Sequence, residues 1–216
     1  MHETVTLDHL VCVVPDVQVG SAELGAALGV TPTVGGSHPD HGTCNTLLSL
    51  GSGRYLELLG PDPKAKRLDA IGHRAAAVSL FDIWTFAVAS RDLEAVSQRA
   101  LAAGLEVPAP MSGARATPSG AVLRWRSLYL LHPLYAGLVP FAIDWQDTPH
   151  PSLTSAQGAH LRSLLVTHPQ PEGLRAIYRA IGLDIAVHHG PQRAIVATLA
   201  HGEQVSTLIG GAQGLF

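Results

Sequence analysis

The feature that most constrains this chain is an internal repeat, marked by three glycines that each follow a predicted helix. Gly29, Gly104 and Gly182 are separated by 75 and 78 residues. Glycine suits the left-handed conformation that often ends a helix, and similarity at a fixed period indicates repeated structural units. Around each glycine the hydrophobic pattern predicts one strand, one helix and then further strands. The sequence therefore predicts an α+β fold of three βαβββ units.

The first unit shows the pattern most fully. Asp16 can cap its helix, and a turn over residues 51–53 can join its last two strands. The predicted segments are a strand at Leu7–Val14, a helix from about residue 17 to residue 28, and strands at Asn45–Leu50 and Tyr55–Leu59.

The other two units follow the same order. Residues 146–158 are rich in turn formers and read as a linker, so we predict one domain at 1–147 and a third unit at 159–216. The predicted strands are 84–89, 120–131 and 139–145 in the second unit, and 161–166, 185–187, 194–199 and 204–209 in the third.

Composition excludes several classes of protein. With 46% hydrophobic and 14% charged residues, the 216-residue chain can bury a substantial core. A net charge of -3 gives no sign of nucleic-acid or basic membrane binding. No apolar run approaches the roughly 20 residues that span a bilayer, and residues 1–4 lack signal-peptide character. We therefore expect a cytoplasmic protein, in which Cys12 and Cys44 do not form a disulfide scaffold.

Two predicted strands of the first unit each carry an ionisable group inside an apolar run. These groups are His9 and Glu57. Burying such a group costs free energy unless it is paired or bound to a metal. The two strands therefore indicate a functional site.

Four motifs of the first unit resemble those of the glyoxalase-like branch of the vicinal oxygen chelate superfamily. The motifs are Leu7-Asp8-His9-Leu10, the helix end Leu28-Gly29, the loop His38-Pro39…Gly42-Thr43…Asn45, and the strand Tyr55-Leu56-Glu57-Leu58. The resemblance implies that the first two units pair into a cupped, mixed or antiparallel sheet with a central cleft. The superfamily includes lyases, isomerases, dioxygenases, thiol transferases and proteins that only bind a ligand, so this fold does not define one function.

The resemblance also implies up to two metal ligands from each paired unit. His9 and Glu57 match both positions of the first unit and suit Zn, Fe, Mn, Ni or Co. In the second unit Thr85 takes the place of His9 and is a poor ligand. Asp144 lies near the place of Glu57, with a register uncertain by one residue, and would complete a triad of metal ligands with His9 and Glu57. The alternatives are that His9 bonds a carbonyl group, that Glu57 pairs with an arginine, and that Asp144 faces solvent.

The third unit offers only weak ligands at the matching positions, Ser163 and Thr207. We expect it to be structural or to mediate a homodimer. No nucleotide cofactor is expected, because the chain has no P-loop and no dinucleotide-binding fingerprint.

The loop at residues 35–45 clusters hydrogen-bonding side chains just before a core strand. His38 is the candidate acid or base, because an unperturbed histidine titrates near neutral pH. Asn45 is a candidate ligand contact, since the resemblance places both residues at recurring positions. The alternative is that these side chains cap the loop backbone.

Strand alternation in Leu123-Arg-Trp-Arg-Ser127 places Arg124 and Arg126 on one face and Trp125 on the other. On the concave face, the two arginines would bind a carboxylate or phosphate. The alternatives are that they balance Glu57 or Asp144, or lie in solvent.

Two functions follow from the resemblance. The first is a metal-dependent lyase, isomerase or dioxygenase acting on a small oxygenated substrate, with a metal that polarises the substrate oxygens. The second is a metal-free protein that binds or sequesters a small, partly aromatic or anionic molecule, like the bleomycin-resistance members. Thr85 favours the second. A third alternative is a scaffold with a vestigial cleft.

Overall fold

The computed structural model describes residues 4–117 and 119–211. Within these residues, twelve strands form two sheets, and four α-helices accompany them. The elements are β1 (Thr6–Val13), α1 (Val17–Leu28), β2 (Thr33–His38), β3 (Thr43–Gly51), β4 (Arg54–Pro61), α2 (Ala70–Ala77), β5 (Asp82–Ala89), α3 (Leu93–Ala102), β6 (Met111–Ala116), β7 (Val122–Leu128), β8 (Phe141–Asp144), β9 (His160–His168), α4 (Pro171–Ile181), β10 (Ala186–His189), β11 (Ala194–His201) and β12 (Gln204–Gly210).

Local sequence signals set the first helix as predicted. The Asp16 carboxylate accepts hydrogen bonds from the backbone N–H groups of Gln18 and Val19, at 2.7 and 3.1 Å. Gly29 ends α1 with φ of 71°, which a residue with a Cβ rarely adopts. The apolar face between these two caps is buried against the sheet.

The first two units combine into one eight-stranded sheet. The strand order is β2-β3-β4-β1-β5-β8-β7-β6, so each unit pairs its last strand with its first, in parallel. The two units meet where β1 runs antiparallel to β5. The predicted α+β fold, with two paired βαβββ units, is therefore confirmed.

The eight-stranded sheet curves until its two edge strands approach each other. Strand β2 contacts β6, and a guanidinium N–H of Arg115 donates to the Gly35 carbonyl oxygen across this closure. Helices α1 and α3 cover the outer face, and their apolar side chains belong to the main core. The inner face encloses a cavity.

The third unit keeps the order of elements but pairs its strands differently. Its sheet has the order β10-β9-β11-β12, with β9 beside β11 rather than beside its last strand. Strands β11 and β12 contact α1, and one hydrophobic cluster joins side chains from all three units, such as Leu24, Val96 and Leu199. The division into domains at 1–147 and 159–216 stays a prediction.

Among the residues that the structure describes, no helix has the length and apolar character needed to cross a membrane.

Candidate ligand-binding site

The inner face of the eight-stranded sheet lines a cavity of about 640 Å³. This volume is typical of small-molecule sites, which are mostly apolar with a few placed polar groups. Both units contribute to its walls. Six aromatic side chains line it, namely Tyr55, Trp84, Trp125, Tyr129, Phe141 and Trp145.

The polar wall begins with a carboxylate–histidine pair on β1. The pairing of β1 with β5 shifts by one residue between Leu7 and His9. Such a bulge breaks strand alternation locally and re-aims side chains. Asp8 and His9 are 2% and 3% exposed, and the His9 Nδ1–H donates to Asp8 Oδ1 at 2.6 Å. This bond leaves His9 Nε2 free.

Asp8 is held by a wider set of donors. His150 Nε2–H donates to Asp8 Oδ2 at 3.2 Å, and Trp145 Nε1–H lies 3.2 Å from the same oxygen. Burial alone would raise the pKa of Asp8, but hydrogen bonds from His150 and His9, and the charge of their rings, lower it to about 2. Asp8 is therefore ionised at neutral pH and fixes the orientation of His9.

Glu57 faces His9 across the cavity floor. The Glu57 Oε2 atom lies 4.0 Å from His9 Nε2, and Asn45 Nδ2–H donates to Glu57 Oε1 at 2.5 Å. The His9 ring also stacks on Tyr55, with centroids 4.5 Å apart. His9 and Glu57 thus converge in the cleft, as the sequence predicts. Their role as metal ligands stays a prediction.

The second unit does not complete a metal centre. The helix caps Asp16 and Asp92 occupy matching places, which puts Thr85 at the His9 position. The registers Val11↔Glu57 and Ala87↔Phe141 then put Phe141 at the Glu57 position. Neither side chain suits a catalytic metal, which usually has three protein ligands.

Asp144 does not supply the missing ligand. Its neighbours Ile143 and Trp145 line the cavity, while the Asp144 Oδ1 atom accepts the Gln146 N–H at 2.8 Å. The predicted convergence of Asp144 with His9 and Glu57 is therefore wrong, because the strand register turns its side chain away. No group of three or more His, Cys, Asp or Glu side chains able to hold a metal occurs among the described residues. The residues present do not fit a three-ligand metal site.

The segment predicted as a loop at residues 35–45 contains the end of β2 and the start of β3, and its candidate residues line the cavity. His38, Asn45 and Thr43 all line it, and His38 Nδ1 lies 3.2 Å from Thr43 Oγ1. Burial lowers the pKa of His38; the Glu57 charge opposes this shift and the Arg115 charge adds to it. His38 is thus held toward its neutral form. The acid–base role of His38 and the ligand contact of Asn45 stay predictions.

The placement of Arg124 and Arg126 on the concave face is wrong. Both side chains are exposed and outside the cavity lining, whereas Trp125 lies inside. Strand alternation holds, but its phase is opposite to the prediction. The cause is packing on β6, where Gly113 pairs with Trp125 and a Cβ at residue 113 would overlap the indole ring. Glycine therefore makes room for Trp125 in the cavity wall.

Three residues of the candidate site were not predicted from the sequence. Arg115 lies in β6, a strand that the hydrophobic pattern did not reveal, so no sequence signal points to it. His150 lies in the predicted linker and contacts Asp8 only through tertiary folding. The role of Asp8 depends on the bulge in β1, which the alternation of the sequence does not show.

A cup of two βαβββ units around a histidine and a glutamate of the first unit defines a vicinal oxygen chelate protein. The chain belongs to the glyoxalase-like domain family, whose model matches residues 7–182.

Solved structures share this fold at low sequence identity. A hypothetical protein from Staphylococcus aureus is 17% identical over 95% of this chain and 85% of its own, with a TM-score of 0.66. A mutant of 4-hydroxymandelate synthase from Streptomyces coelicolor is 16% identical over 97% of this chain and 63% of its own, with a TM-score of 0.52. Methylmalonyl-CoA epimerase from Mycobacterium tuberculosis is 22% identical over 66% of this chain and 89% of its own, with a TM-score of 0.45. At these identities the likeness to the first two of these structures concerns the fold alone. No curated protein matches the chain.

Proposed function

We propose that this protein binds a small, flat and largely apolar molecule in the cleft, without a metal held by the site. The ligand places one polar group against His9 and Glu57. The observation that carries this proposal is the contrast between the two halves of the cleft: Thr85 and Phe141 stand where ligands to a metal would be needed.

The walls support an aromatic ligand. Trp125 and Trp145 lie with ring centroids 5.6 Å apart, and Tyr129 stacks on Phe141 at 5.5 Å. Aromatic rings attract one another in offset and edge-to-face arrangements, beyond the gain from buried area. A flat apolar ligand therefore gains most from these walls, while the Glu57 carboxylate accepts a hydrogen bond from its polar end.

The chain offers a direct readout of binding, because all three of its tryptophans line the cavity. We expect 4-nitrobenzyl alcohol, an aromatic quencher with a hydroxyl group, to quench the intrinsic fluorescence to a saturating limit. EDTA should leave the apparent Kd unchanged. The variant Gly113→Leu, which drives Trp125 from its position, should weaken binding, whereas Leu153→Ala on the surface should not.

Two results would contradict the proposal. One is quenching that rises linearly with quencher and never saturates, as expected for collisions alone. The other is saturable quenching that EDTA abolishes and that a divalent metal restores.

A second candidate function is proton transfer on the bound ligand, and the Asp8–His9 pair favours it. A carboxylate on Nδ1 fixes the tautomer and stabilises the imidazolium, which is the arrangement of a general base. His9 Nε2 would take a proton from an acidic C–H bond, leaving an enolate, and solvent would supply the returning proton.

Deuterium exchange tests this second function. In D2O, the protein should speed the exchange of the benzylic C–H protons of phenylpyruvate, followed by proton NMR. His9→Gln should remove the acceleration, and the exposed His160→Gln should retain it. Equal exchange rates with and without the wild-type protein would rule out this second function, and ligand binding would remain as the proposed function.

The metal-dependent activity, the cytoplasmic location and the homodimer remain predictions from the sequence and the family resemblance.

A further inference from the structure

The cavity contains a buried arginine that the polar pair on β1 does not explain. Arg115 is 5% exposed and lines the cavity from β6. One guanidinium N–H donates to the Gly35 carbonyl oxygen, which fixes the head group where the two sheet edges approach. The arginine is thus held by the fold as part of the cavity wall.

The charge of Arg115 has no anionic partner in the part of the chain that the structure describes. Among residues 4–117 and 119–211, no carboxylate forms an ion pair with it. A guanidinium carries five N–H donors, and a buried charge is costly unless it is paired and hydrogen-bonded. Glu57 shares the cavity, but its carboxylate is bonded by Asn45 and faces His9. An anion supplied by the ligand would satisfy Arg115.

We propose that Arg115 binds a carboxylate of the ligand, so that the cleft selects small aromatic carboxylic acids. This inference rests on the proposed function and names the ligand class. The flat body of the acid would lie against Trp125, which occupies the same inner face of the β6–β7 pair as Arg115. Arginine presents two parallel N–H groups that match a carboxylate.

The geometry favours a carboxylate over a phosphate group. A single arginine carries one positive charge, and His38, whose pKa the Arg115 charge also lowers, is held toward its neutral form by burial. Glu57 adds a negative charge in the same cavity. Arg115 therefore brings one positive charge to the cavity, and Glu57 brings one negative charge. This balance suits a ligand with a single negative charge better than a phosphate with two.

The first experiment needs no variant. Indole-3-acetic acid and indole-3-acetamide have the same shape and differ in charge, as do benzoic acid and benzamide. Titration calorimetry of the wild-type protein at pH 7.5 should show about 10- to 100-fold tighter binding of each acid than of its amide, the gain expected for charged hydrogen bonds.

Variants locate the effect. Arg115→Gln should bind acid and amide with equal affinity, and Arg115→Lys should keep a reduced preference, because lysine retains the charge without the paired donors. The matched control is Arg124→Gln, which removes an exposed arginine outside the cleft and should keep the full preference. If Arg115→Gln fails to fold because the bond to Gly35 is lost, Arg115→Lys and the acid–amide comparison still decide.

The outcomes separate this inference from the proposed function. Equal binding of acid and amide by the wild type would overturn the carboxylate site and leave aromatic binding intact. A preference for the acid that persists in Arg115→Gln would also overturn it. Binding of neither compound in either pair would count against the proposed function itself.

Discussion

The two halves of the cleft have the same architecture and opposite chemistry. At three matching positions the first unit has Asp8, His9 and Glu57, and the second unit has Trp84, Thr85 and Phe141. Asp8 is buried behind the cavity wall, and the other five side chains line the cavity. The strand pairing that forms the cup is therefore kept in both units, while the side chains within it have diverged. The repeat therefore specifies the fold, while at these three positions only the first unit carries ionisable side chains.

The largest expected effect concerns the buried carboxylate of the polar half. Asp8→Asn should lower the free energy of unfolding by about 3 kcal/mol, because the hydrogen bonds that the buried Asp8 carboxylate accepts from His9, His150 and Trp145 lose their ionised acceptor. In the other half, Thr85→Val should change it by less than about 1 kcal/mol, because the Thr85 hydroxyl forms no hydrogen bond with the residues that the structure describes. Urea unfolding at pH 7 measures both. Equal losses of unfolding free energy in the two variants would contradict the proposed difference between the two halves of the cleft.

Making the halves alike should create a metal site. In the double variant Thr85→His, Phe141→Glu, the second unit supplies the same ligand types as the first. At about 100 times the Kd, added Zn²⁺ should stabilise this variant by about 3 kcal/mol, which a thermal melt detects as a higher Tm. The single variant Thr85→His is the control and should gain less. If Zn²⁺ does not change the Tm of the double variant, the side chains at positions 9, 57, 85 and 141 do not converge on one metal centre.

The Asp8 carboxylate should also make stability depend on pH. Its pKa is lowered from 3.8 to about 2 in the folded protein, so the unfolded state binds the proton first. The stabilisation is complete above pH 3.8 and is lost as the pH falls through the folded pKa of about 2. A shift of this size contributes about 2 kcal/mol.

Unfolding free energies of the wild type and Asp8→Asn between pH 5 and pH 2 isolate this contribution, since the other carboxylates are common to both. The difference between the two proteins should shrink as the pH falls. A difference that stays constant over this range would contradict the assigned pairing.

The smallest effect is expected on the outer face of the second unit. Arg124→Gln and Arg126→Gln should each change the unfolding free energy by less than about 0.5 kcal/mol, as is usual for exposed positions. Ligand affinity should not change. A clear loss of ligand affinity in either variant would show that the arginine contacts the ligand and would contradict its placement outside the cleft.

The first unit could be predicted from its sequence because its signals are local. Asp16 and Gly29 begin and end α1 with their own side chain and backbone, and His9 and Glu57 lie on strands that pair directly. The second half of the site depends on register. The phase of β7 is set by the fit of Trp125 over Gly113, and that contact turned Arg124 and Arg126 outward.

The remaining site residues depend on contacts between distant segments. Arg115 reaches the cavity because the sheet closes and brings it to Gly35. His150 reaches Asp8 from a segment that reads as a linker. Neither contact has a periodic or compositional signature, so the hydrophobic pattern does not contain it.

We propose that the cleft works without a metal held by its side chains. The most direct test is elemental analysis of protein purified without an affinity tag and without added metal, compared with Glu57→Gln. We predict far less than one metal ion per chain in both proteins. One Zn, Fe, Mn, Ni or Co per chain in the wild type, lost in Glu57→Gln, would contradict the claim.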